Sequence, residues 1–177
     1  RARLAAGDAD AVERAIERVR EIDPSHSDVA TALAWLAAAK VAEAAEDPGA
    51  AARLLRRAAQ IRHSLGDADG ALEALDAAQN AEPDDLELLA LRAQRMLDVD
   101  RGDEAVALVM DGVERCADDD ERSLLALLLA MDRARQAAED PRELTLHQAD
   151  LLERLGRRAD ARALLAGIAD EEGVLWR

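Results

Sequence analysis

The chain has 177 residues and a net charge of −15 at pH 7, with 38 acidic side chains against 23 lysines and arginines. Such an acidic surface argues against binding to nucleic-acid phosphates or to anionic membranes. Half of the residues are hydrophobic, but aromatic residues make up only 1% and none is Phe or Tyr, so we expect a core of small and aliphatic side chains. Alanine, leucine, arginine and glutamate all favour helix, and the composition predicts an all-α protein.

The sequence offers no element for crossing a membrane or for forming a disulfide. Its most apolar run, residues 124–131, is far too short to span a bilayer, and the first residues do not resemble a secretion signal. These features favour the cytoplasm but do not determine the compartment. Cys116 is the only cysteine, and we interpret it as a small buried side chain near a helix end.

The first part of the chain predicts three helices, the first of which begins before the sequence does. Residues 1–6 are too short for a helix of their own and predict the tail of one, so we expect the chain to be part of a larger protein. Residues 8–22 predict a second helix that ends before Pro24, because proline cannot continue a helix. A longer helix, which contains Trp35, is expected over residues 28–46.

The stretch from Gly66 to Pro83 combines a turn glycine, a helix and a terminating proline. Between them Ala71, Leu75 and Ala78 are spaced i, i+4 and i+7, which is the period of one helix face. The same spacing from glycine to proline, or the same apolar stripe, recurs over residues 7–24, 105–112 and 161–168. The chain is therefore predicted to repeat one unit.

The pentapeptide Ala-Ala-Glu-Asp-Pro occurs twice, at residues 44–48 and 137–141. In each copy the aspartate suits the N-cap and the proline suits the first position of a helix. In the second copy, Glu143 predicts a capping box with Asp140. The two copies predict two three-helix modules with a helix pair between them. The modules would cover residues 27–85 and 120–173, and the pair would cover residues 86–119.

A helix–turn–helix unit that recurs with a period of about 34 residues resembles the tetratricopeptide repeat. Residues 52–85 match this family most closely: Gly66 lies at the turn, and Ala71 and Ala78 are the small side chains that close helix contact requires. The resemblance implies an α-α superhelix, a right-handed solenoid of about nine antiparallel helices that forms one domain over residues 1–177.

The other units follow the family pattern less closely. In the unit 86–119, Asp100 stands in place of the turn glycine, and Ala117 stands where the family has proline. The bulky aromatic residues of the family are absent throughout. The predicted units cover residues 1–26 (in part), 27–51, 52–85, 86–119, 120–141 and 142–173.

Charge is unevenly distributed along the chain, because no acidic residue occurs between Asp47 and Asp67. The basic residues in this gap are Arg53, Arg56, Arg57, Arg62 and His63. By the resemblance, the first helix of each pair lines a concave groove that binds ligand. The residues that this would place in the groove are Arg53, Arg56, Gln60 and His63.

We therefore predict a basic strip that receives a carboxylate or an acidic peptide segment, with arginine giving paired hydrogen bonds. The alternative is a solvated helix face that pairs with acids on neighbouring helices, such as Glu43, Glu46 and Glu87. The carboxylate clamp of the family is not reproduced, because Leu91 stands where the clamp has an amide.

A second candidate surface is apolar. Leu124, Leu128 and Met131 share one face of a predicted helix, and Trp35 has the corresponding place in the first long helix. These residues predict a groove that takes the apolar face of a partner helix. The alternative is ordinary core, because residues 124–131 are hydrophobic all round, and such helices are usually buried between neighbours.

Patterns typical of catalysis are absent from the sequence. His26, His63 and His147 are far apart, and none has the spacing of metal ligands. There is no phosphate-binding glycine loop and no nucleophile elbow. We therefore expect that the protein is not an enzyme and that it holds no cofactor or metal.

Together these features predict a non-catalytic scaffold that binds a protein or peptide. The predicted binding residues are Trp35, Arg53, Arg56, Arg57, Gln60, His63, Gln94, Leu128 and Met131. The alternative is a regulatory or oligomerisation module attached to a catalytic or DNA-binding domain. Ends without capping helices also predict end-to-end association of copies. Heavy use of alanine and arginine with a single lysine, Lys40, is typical of a GC-rich bacterial genome.

Overall fold

The computed structural model describes residues 46–138 and 140–175, with side chains as far as residue 168, and a few earlier positions. Those positions are residues 18, 35–37 and 39–40. All regular structure in these described residues is α-helical and none is strand, which confirms the predicted all-α class. The helices predicted over residues 8–22 and 28–46 lie almost entirely outside the described part of the chain, as does the partial unit 1–26.

The chain divides into two compact units, residues 1–88 and 89–177. The first unit contains helix α1, Pro48–Ser64, and helix α2, Ala68–Ala81. Helix α3, Leu86–Leu97, begins at the end of the first unit and continues into the second. The remaining helices are α4, Gly102–Arg115; α5, Glu121–Ala137; α6, Arg142–Arg154; and α7, Arg158–Leu175. The single domain expected from the sequence stays a prediction.

At the start of four of these helices, an aspartate side chain accepts a hydrogen bond from the backbone N–H three residues later. The pairs of aspartate and N–H are Asp47 with Ala50 (3.0 Å), Asp67 with Gly70 (3.0 Å), Asp85 with Leu88 (2.9 Å) and Asp120 with Ser123 (3.2 Å). Each carboxylate satisfies an N–H that has no partner inside its helix. Its negative charge is also favoured at the positive end of the helix dipole.

The two copies of the pentapeptide begin their helices differently. In the first copy Asp47 is the N-cap and the proline after it is the first helical residue, as predicted. In the second copy the helix begins one residue later, at Arg142, and the Asp140 carboxylate accepts a hydrogen bond from the Arg142 N–H (3.2 Å). Pro141 becomes the N-cap and has no side-chain acceptor, so the predicted capping box of Asp140 with Glu143 is wrong.

Helices α1 and α2 pack on each other, and both carry small side chains that are completely buried. Ala51 and Ala58 of α1, and Ala71 and Ala78 of α2, are completely buried. Leu75 of α2 is 1% exposed, so the apolar stripe predicted from the sequence is the buried face of this helix. Because alanine adds only a methyl group, two helices can approach closely while their interface stays fully packed.

Three helix pairs turn through the same backbone conformation. Gly66 (φ 80°), Asp100 (φ 58°) and Gly156 (φ 73°) are left-handed and lie between the two helices of their pairs. In each turn the next N–H donates to a carbonyl five residues earlier, which is the Schellman arrangement. These bonds run from Asp67 to Arg62 (3.0 Å), from Arg101 to Met96 (3.0 Å) and from Arg157 to Leu152 (2.8 Å). Asp100 thus takes the role that glycine has in the other two turns.

Helix α4 packs closely against both of its neighbours at Gly112. A Cβ atom at this position would lie 2.6 Å from a methyl group of Leu127 in α5 and 2.9 Å from a methyl group of Leu89 in α3. Both leucines are almost completely buried and have no room to move away. Since carbon atoms normally stay about 3.5–4.0 Å apart, the contact requires a residue without a side chain.

Arg154, at the end of α6, fastens that helix to the carboxyl end of α4. Its guanidinium donates hydrogen bonds to the carbonyls of Val113 (3.2 Å) and Cys116 (2.5 Å) and to the carboxylate of Asp118 (2.7 Å). The carbonyls at a helix end have no partners inside the helix and lie at the negative end of its dipole. Arg154 therefore acts as a cap supplied by another helix.

Candidate functional site

Helix α1 is buried around most of its circumference and exposed along one narrow face. Arg53, Arg57 and Gln60, spaced i, i+4 and i+7, are exposed, and the half-buried Arg56 and His63 lie beside them. We call these five residues the basic stripe. The buried residues of the same helix are Ala50, Ala51, Ala52, Leu54, Leu55, Ala58, Ala59 and Ile61. The structure thus brings together the basic residues that the charge gap indicated.

Arg62 lies in the same charge gap but serves the fold. Its guanidinium donates to the carbonyl of Gly70 (2.9 Å) and pairs with the carboxylates of Asp67 (3.6 Å) and Glu73 (3.7 Å). These contacts join the end of α1 to the start of α2. Arg62 is therefore committed to holding the turn and does not belong to the basic stripe.

The basic stripe is partly engaged within the folded chain. Arg53 and His63 both take part in interactions inside the protein. Of the acids expected as partners, Glu46 is exposed and Glu87 is half-buried, while Glu43 lies outside the described residues. The stripe is thus partly exposed to solvent and partly engaged in contacts within the protein, and a ligand would compete with some of these contacts.

The apolar residues predicted to bind a partner lie deeper than the basic ones. Trp35 and Met131 are completely buried, so neither side chain can touch a bound segment in this conformation. Leu124 is also core, at 1% exposed. Leu128 is 7% exposed, and Gln94 is half-buried on α3. Leu128 differs from the others in lining a cavity.

That cavity lies among α5, α6 and α7 and has a volume of about 520 Å³. Its apolar walls are formed by Leu128, Leu129, Leu152, Ala163 and Leu164. Its polar lining residues are Asp132, Arg135, Gln148, Arg157 and Asp160. We call it the α5–α7 cavity. It is an open groove in which apolar walls meet several polar groups, a combination that ligand sites use to orient what they bind.

A small polar network lies in the wall of the α5–α7 cavity. The Nε2 of Gln148 and a terminal nitrogen of Arg135 both donate to Oδ1 of Asp132, at 3.1 and 3.2 Å. Gln148 is only 7% exposed, yet its Oε1 has no hydrogen-bond partner among the described residues, and neither does Nε of Arg135. An unsatisfied buried polar atom costs about 1–3 kcal/mol, so these two atoms are an unexplained feature of the fold.

The charges around the α5–α7 cavity cancel. Asp132 pairs with Arg135 at 3.2 Å, and Asp160 pairs with Arg157 at 2.7 Å. The lining therefore carries no net charge, although the chain as a whole carries −15. A neutral polar ligand suits these walls better than an ion would.

Another cavity, of about 620 Å³, has an acidic rim. Val106, Met110 and Leu144 are among its apolar lining residues, and Asp103 and Glu143 are exposed acids in its lining. Its chemistry would favour a cation with an apolar body. Carboxylates are common on the surface of so acidic a chain, however, and they do not by themselves mark a site.

Reactive groups are scarce in the described part of the chain. Within it, no group of three or more His, Cys, Asp or Glu side chains could hold a metal ion. Burial raises the pKa of the Cys116 thiol, so at neutral pH it stays protonated and is a weak nucleophile. No helix among these residues has the length and apolarity needed to cross a membrane.

Sequence reasoning missed most of the α5–α7 cavity. Leu129 was hidden within a continuous apolar run, although it is 63% exposed in the structure. One signal was present: Gln148 lies four residues after Leu144 and three before Leu151, and so interrupts the apolar face of α6 with an amide. Arg135 and Leu164 gave no comparable signal, because their positions fit an ordinary amphipathic helix.

Comparisons with known proteins assign no family to this chain. No protein-family model matches it, and no curated protein is significantly similar to it.

Proposed function

We propose that the chain is a non-catalytic scaffold that binds an acidic segment of another protein along the basic stripe. One observation carries the proposal: the narrow exposed face of α1 presents Arg53 and Arg57 and no acid, in a chain with 38 acidic residues. An acidic partner is attracted to this face and repelled by most of the remaining surface. That contrast would fix where, and in which orientation, the partner binds.

The proposal places the basic stripe on a right-handed solenoid of antiparallel helices, similar to tetratricopeptide repeats. The shared turn at Gly66, Asp100 and Gly156 supports it, since the first two lie 34 residues apart, which is the length of that repeat. The side-chain caps Asp85 and Asp120 are 35 residues apart and begin corresponding helices. Preformed helices would lower the entropic cost of ordering the binding surface.

We expect each ion pair to contribute little binding free energy, and we expect the affinity to fall as the salt concentration rises. An exposed ion pair contributes about 0.2–1 kcal/mol, so a useful affinity requires several arginines to act together. Screening becomes effective beyond about 10 Å at 0.1 M salt. An acidic segment would therefore associate quickly at low ionic strength and release readily when salt is raised.

The test reverses two charges of the basic stripe, Arg53→Glu together with Arg57→Glu. The probe is a fluorescein-labelled ten-residue peptide of alternating glutamate and glycine, followed by fluorescence anisotropy in 50 mM salt. We expect at least about tenfold weaker binding, because each reversal removes an attraction and adds a repulsion. The matched control is Arg158→Glu together with Arg162→Glu, which are exposed on α7 with the same spacing and change the net charge equally.

Two results would contradict the proposal. One is a wild-type protein that does not bind the acidic peptide at low salt. The other is a control variant that loses as much affinity as the stripe variant, because net charge alone would then explain the binding. Circular dichroism of both variants shows whether helix content is preserved.

The competing function is a regulatory or oligomerisation module attached to a catalytic or DNA-binding domain. Leu125 and Leu129 favour it, since both are large apolar side chains exposed one turn apart on α5. Exposed leucines are common on protein surfaces, however, whereas the exclusion of acids from α1 is unusual for this chain. We therefore favour the scaffold.

A further inference from the structure

We propose that the α5–α7 cavity binds a neutral ligand in which a carboxamide is joined to an apolar group. This site is built from residues 128–164, and it rests on none of the residues of the basic stripe. Three features of its lining lead to this ligand: a pair of unsatisfied polar atoms, apolar walls and cancelled charges.

The two unsatisfied polar atoms indicate that the ligand carries a carboxamide. Oε1 of Gln148 requires a hydrogen-bond donor, and Nε of Arg135 requires an acceptor. Both side chains donate to the same oxygen of Asp132, so the two side chains are neighbours. A carboxamide carries an N–H and a carbonyl side by side and can satisfy both atoms at once. A carboxylate would supply only the acceptor.

The amide orientation of Gln148 follows from its partner. Asp132 is an acceptor, so the nitrogen of the Gln148 amide has to face it, and the oxygen has to face away. Gln136 donates to the other oxygen of the same carboxylate (2.8 Å), which leaves Asp132 with bonds on both of its oxygens. Both oxygens of Asp132 are thereby engaged, and Oε1 of Gln148 is the acceptor in the network without a bond.

The remaining lining residues indicate that the ligand also carries an apolar group and has no net charge. Leu128, Leu152 and Leu164 offer contact to an aliphatic side chain in a groove of about 520 Å³ that is open to solvent. The Asp132–Arg135 and Arg157–Asp160 pairs leave no uncompensated charge to attract an ion.

Access to the polar atoms requires a small rearrangement. Oε1 of Gln148 and Nε of Arg135 are both shielded from solvent, so a ligand has to displace a neighbouring side chain to reach them. Leu129 is the most exposed of the leucines that line the cavity, at 63%, and is therefore the lining leucine with the most freedom to move.

The experiment uses acetyl-leucinamide as the probe and acetyl-leucine, its carboxylate counterpart of nearly the same size, as the comparison. Titrations of the labelled whole chain are followed by heteronuclear NMR. We expect saturable shifts in α5, α6 and α7 with a millimolar dissociation constant for the amide, and at least about tenfold weaker binding of the carboxylate. The carboxylate cannot donate to Gln148, and it brings a charge that the walls do not compensate.

Two pairs of variants identify the residues involved. Gln148→Met removes the acceptor with little change of shape, and we expect it to weaken binding of the amide about tenfold. Its control, Gln136→Met, removes the other amide bonded to Asp132 but lies outside the cavity lining, and it should bind as the wild type does. Leu129→Ser should also weaken binding, whereas Leu125→Ser, one turn earlier and outside the lining, should not.

The proposal is overturned by equal affinity for the amide and the carboxylate, or by wild-type binding in Gln148→Met. If that variant does not fold, Leu129→Ser and Leu125→Ser replace it, since both positions are exposed, and equal amide binding by these two variants overturns the proposal. A third arm, acetyl-Ala-Leu-Ala-amide, separates the sources of the ligand. Tighter binding than acetyl-leucinamide assigns the site to a segment of a protein chain, and weaker binding assigns it to a free small amide.

Discussion

The α1–α2 pair and the α3–α4 pair have the same turn but place glycine differently. In α1–α2 the turn residue is Gly66 and the contact residue is Ala78; in α3–α4, 34 residues later, the turn residue is Asp100 and the contact residue is Gly112. Both turns are left-handed and close with the same hydrogen bond. Backbone hydrogen bonds therefore fix the turn, and the side chain changes only how much the conformation costs.

The contact positions differ because their neighbours differ. Ala78 is completely buried, so the packing around this position accommodates a methyl group. At Gly112 the methyl groups of Leu127 and Leu89 already occupy the space where a Cβ would lie. The position shared by Ala78 and Gly112 thus requires a small residue, and the side chains facing it decide whether alanine fits or only glycine does.

The largest expected effect comes from filling the α4 contact. Gly112→Val should lower the free energy of unfolding by about 1–3 kcal/mol, because the added atoms overlap two buried leucines that cannot move into solvent. Urea unfolding followed by circular dichroism measures the change. The matched control is Gly167→Ala on α7, where a Cβ would meet nothing within 4 Å. That change should stabilise the protein by up to about 1 kcal/mol, since alanine favours helix over glycine. Equal effects of the two changes would contradict the close contact.

An exchange of the two turn residues should have a smaller effect. Gly66→Asp should destabilise the protein by about 1 kcal/mol, and Asp100→Gly should stabilise it by a similar or smaller amount, because a left-handed conformation is costly for a residue with a Cβ. Asp103→Gly, at an exposed site inside α4, is the control and should destabilise instead. If Asp100→Gly also destabilised the protein, the side chain of Asp100 would hold the turn, contrary to the comparison.

The smallest expected effect is on the pH dependence of stability, which should differ between the α1–α2 turn and the α3–α4 turn. Position 98 in the α3–α4 turn is an aspartate, whereas the corresponding position 64 is a serine whose hydroxyl donates to the carbonyl of Ile61 (2.7 Å). Partial burial alone would raise the pKa of Asp98, but hydrogen bonds from Arg133 (2.6 Å) and Arg95 (2.9 Å) outweigh it and hold that pKa below its ordinary value. The ionised side chain therefore stabilises the fold above about pH 4.

This contribution is lost as the pH falls through the lowered pKa of Asp98. We therefore expect Asp98→Asn to reduce the loss of stability between about pH 5 and pH 3, measured by urea unfolding at both values. Arg133→Gln should act in the same direction, because it removes the hydrogen bond that lowers the pKa. An unchanged pH dependence in both variants would show that the α3–α4 turn gains nothing from its charge.

Much of the fold could be predicted because it depends on local rules. Apolar spacing identified the buried face of α2 at Ala71, Leu75 and Ala78, and glycine identified two of the three turns. The structure differs from the sequence-based prediction where two residue types, or two positions, can satisfy the same local rule. Asp100 can adopt the left-handed conformation without being glycine, and Asp140 can bond an N–H two residues ahead without being the N-cap.

The candidate sites were predictable to different degrees. The basic stripe belongs to one helix, so a spacing of i, i+4 and i+7 was enough to place Arg53, Arg57 and Gln60 on one exposed face. The α5–α7 cavity draws on three helices, and no spacing within one helix relates Gln148 to Leu164. The same limit made Trp35 and Met131 look like surface candidates, because one helix face does not reveal what lies against it.

The sequence by itself determined the all-α class, the positions of the turns and the segregation of charge on α1, since each depends on residues within one or two helical turns of each other. Only the tertiary structure decided which small residue had to be glycine, which leucines were buried, and that Gln148 and Arg135 share one carboxylate. The physical reason is that packing and hydrogen-bond satisfaction depend on side chains from other helices. Those partners are distant in sequence, and their distances are set only once the helices have packed.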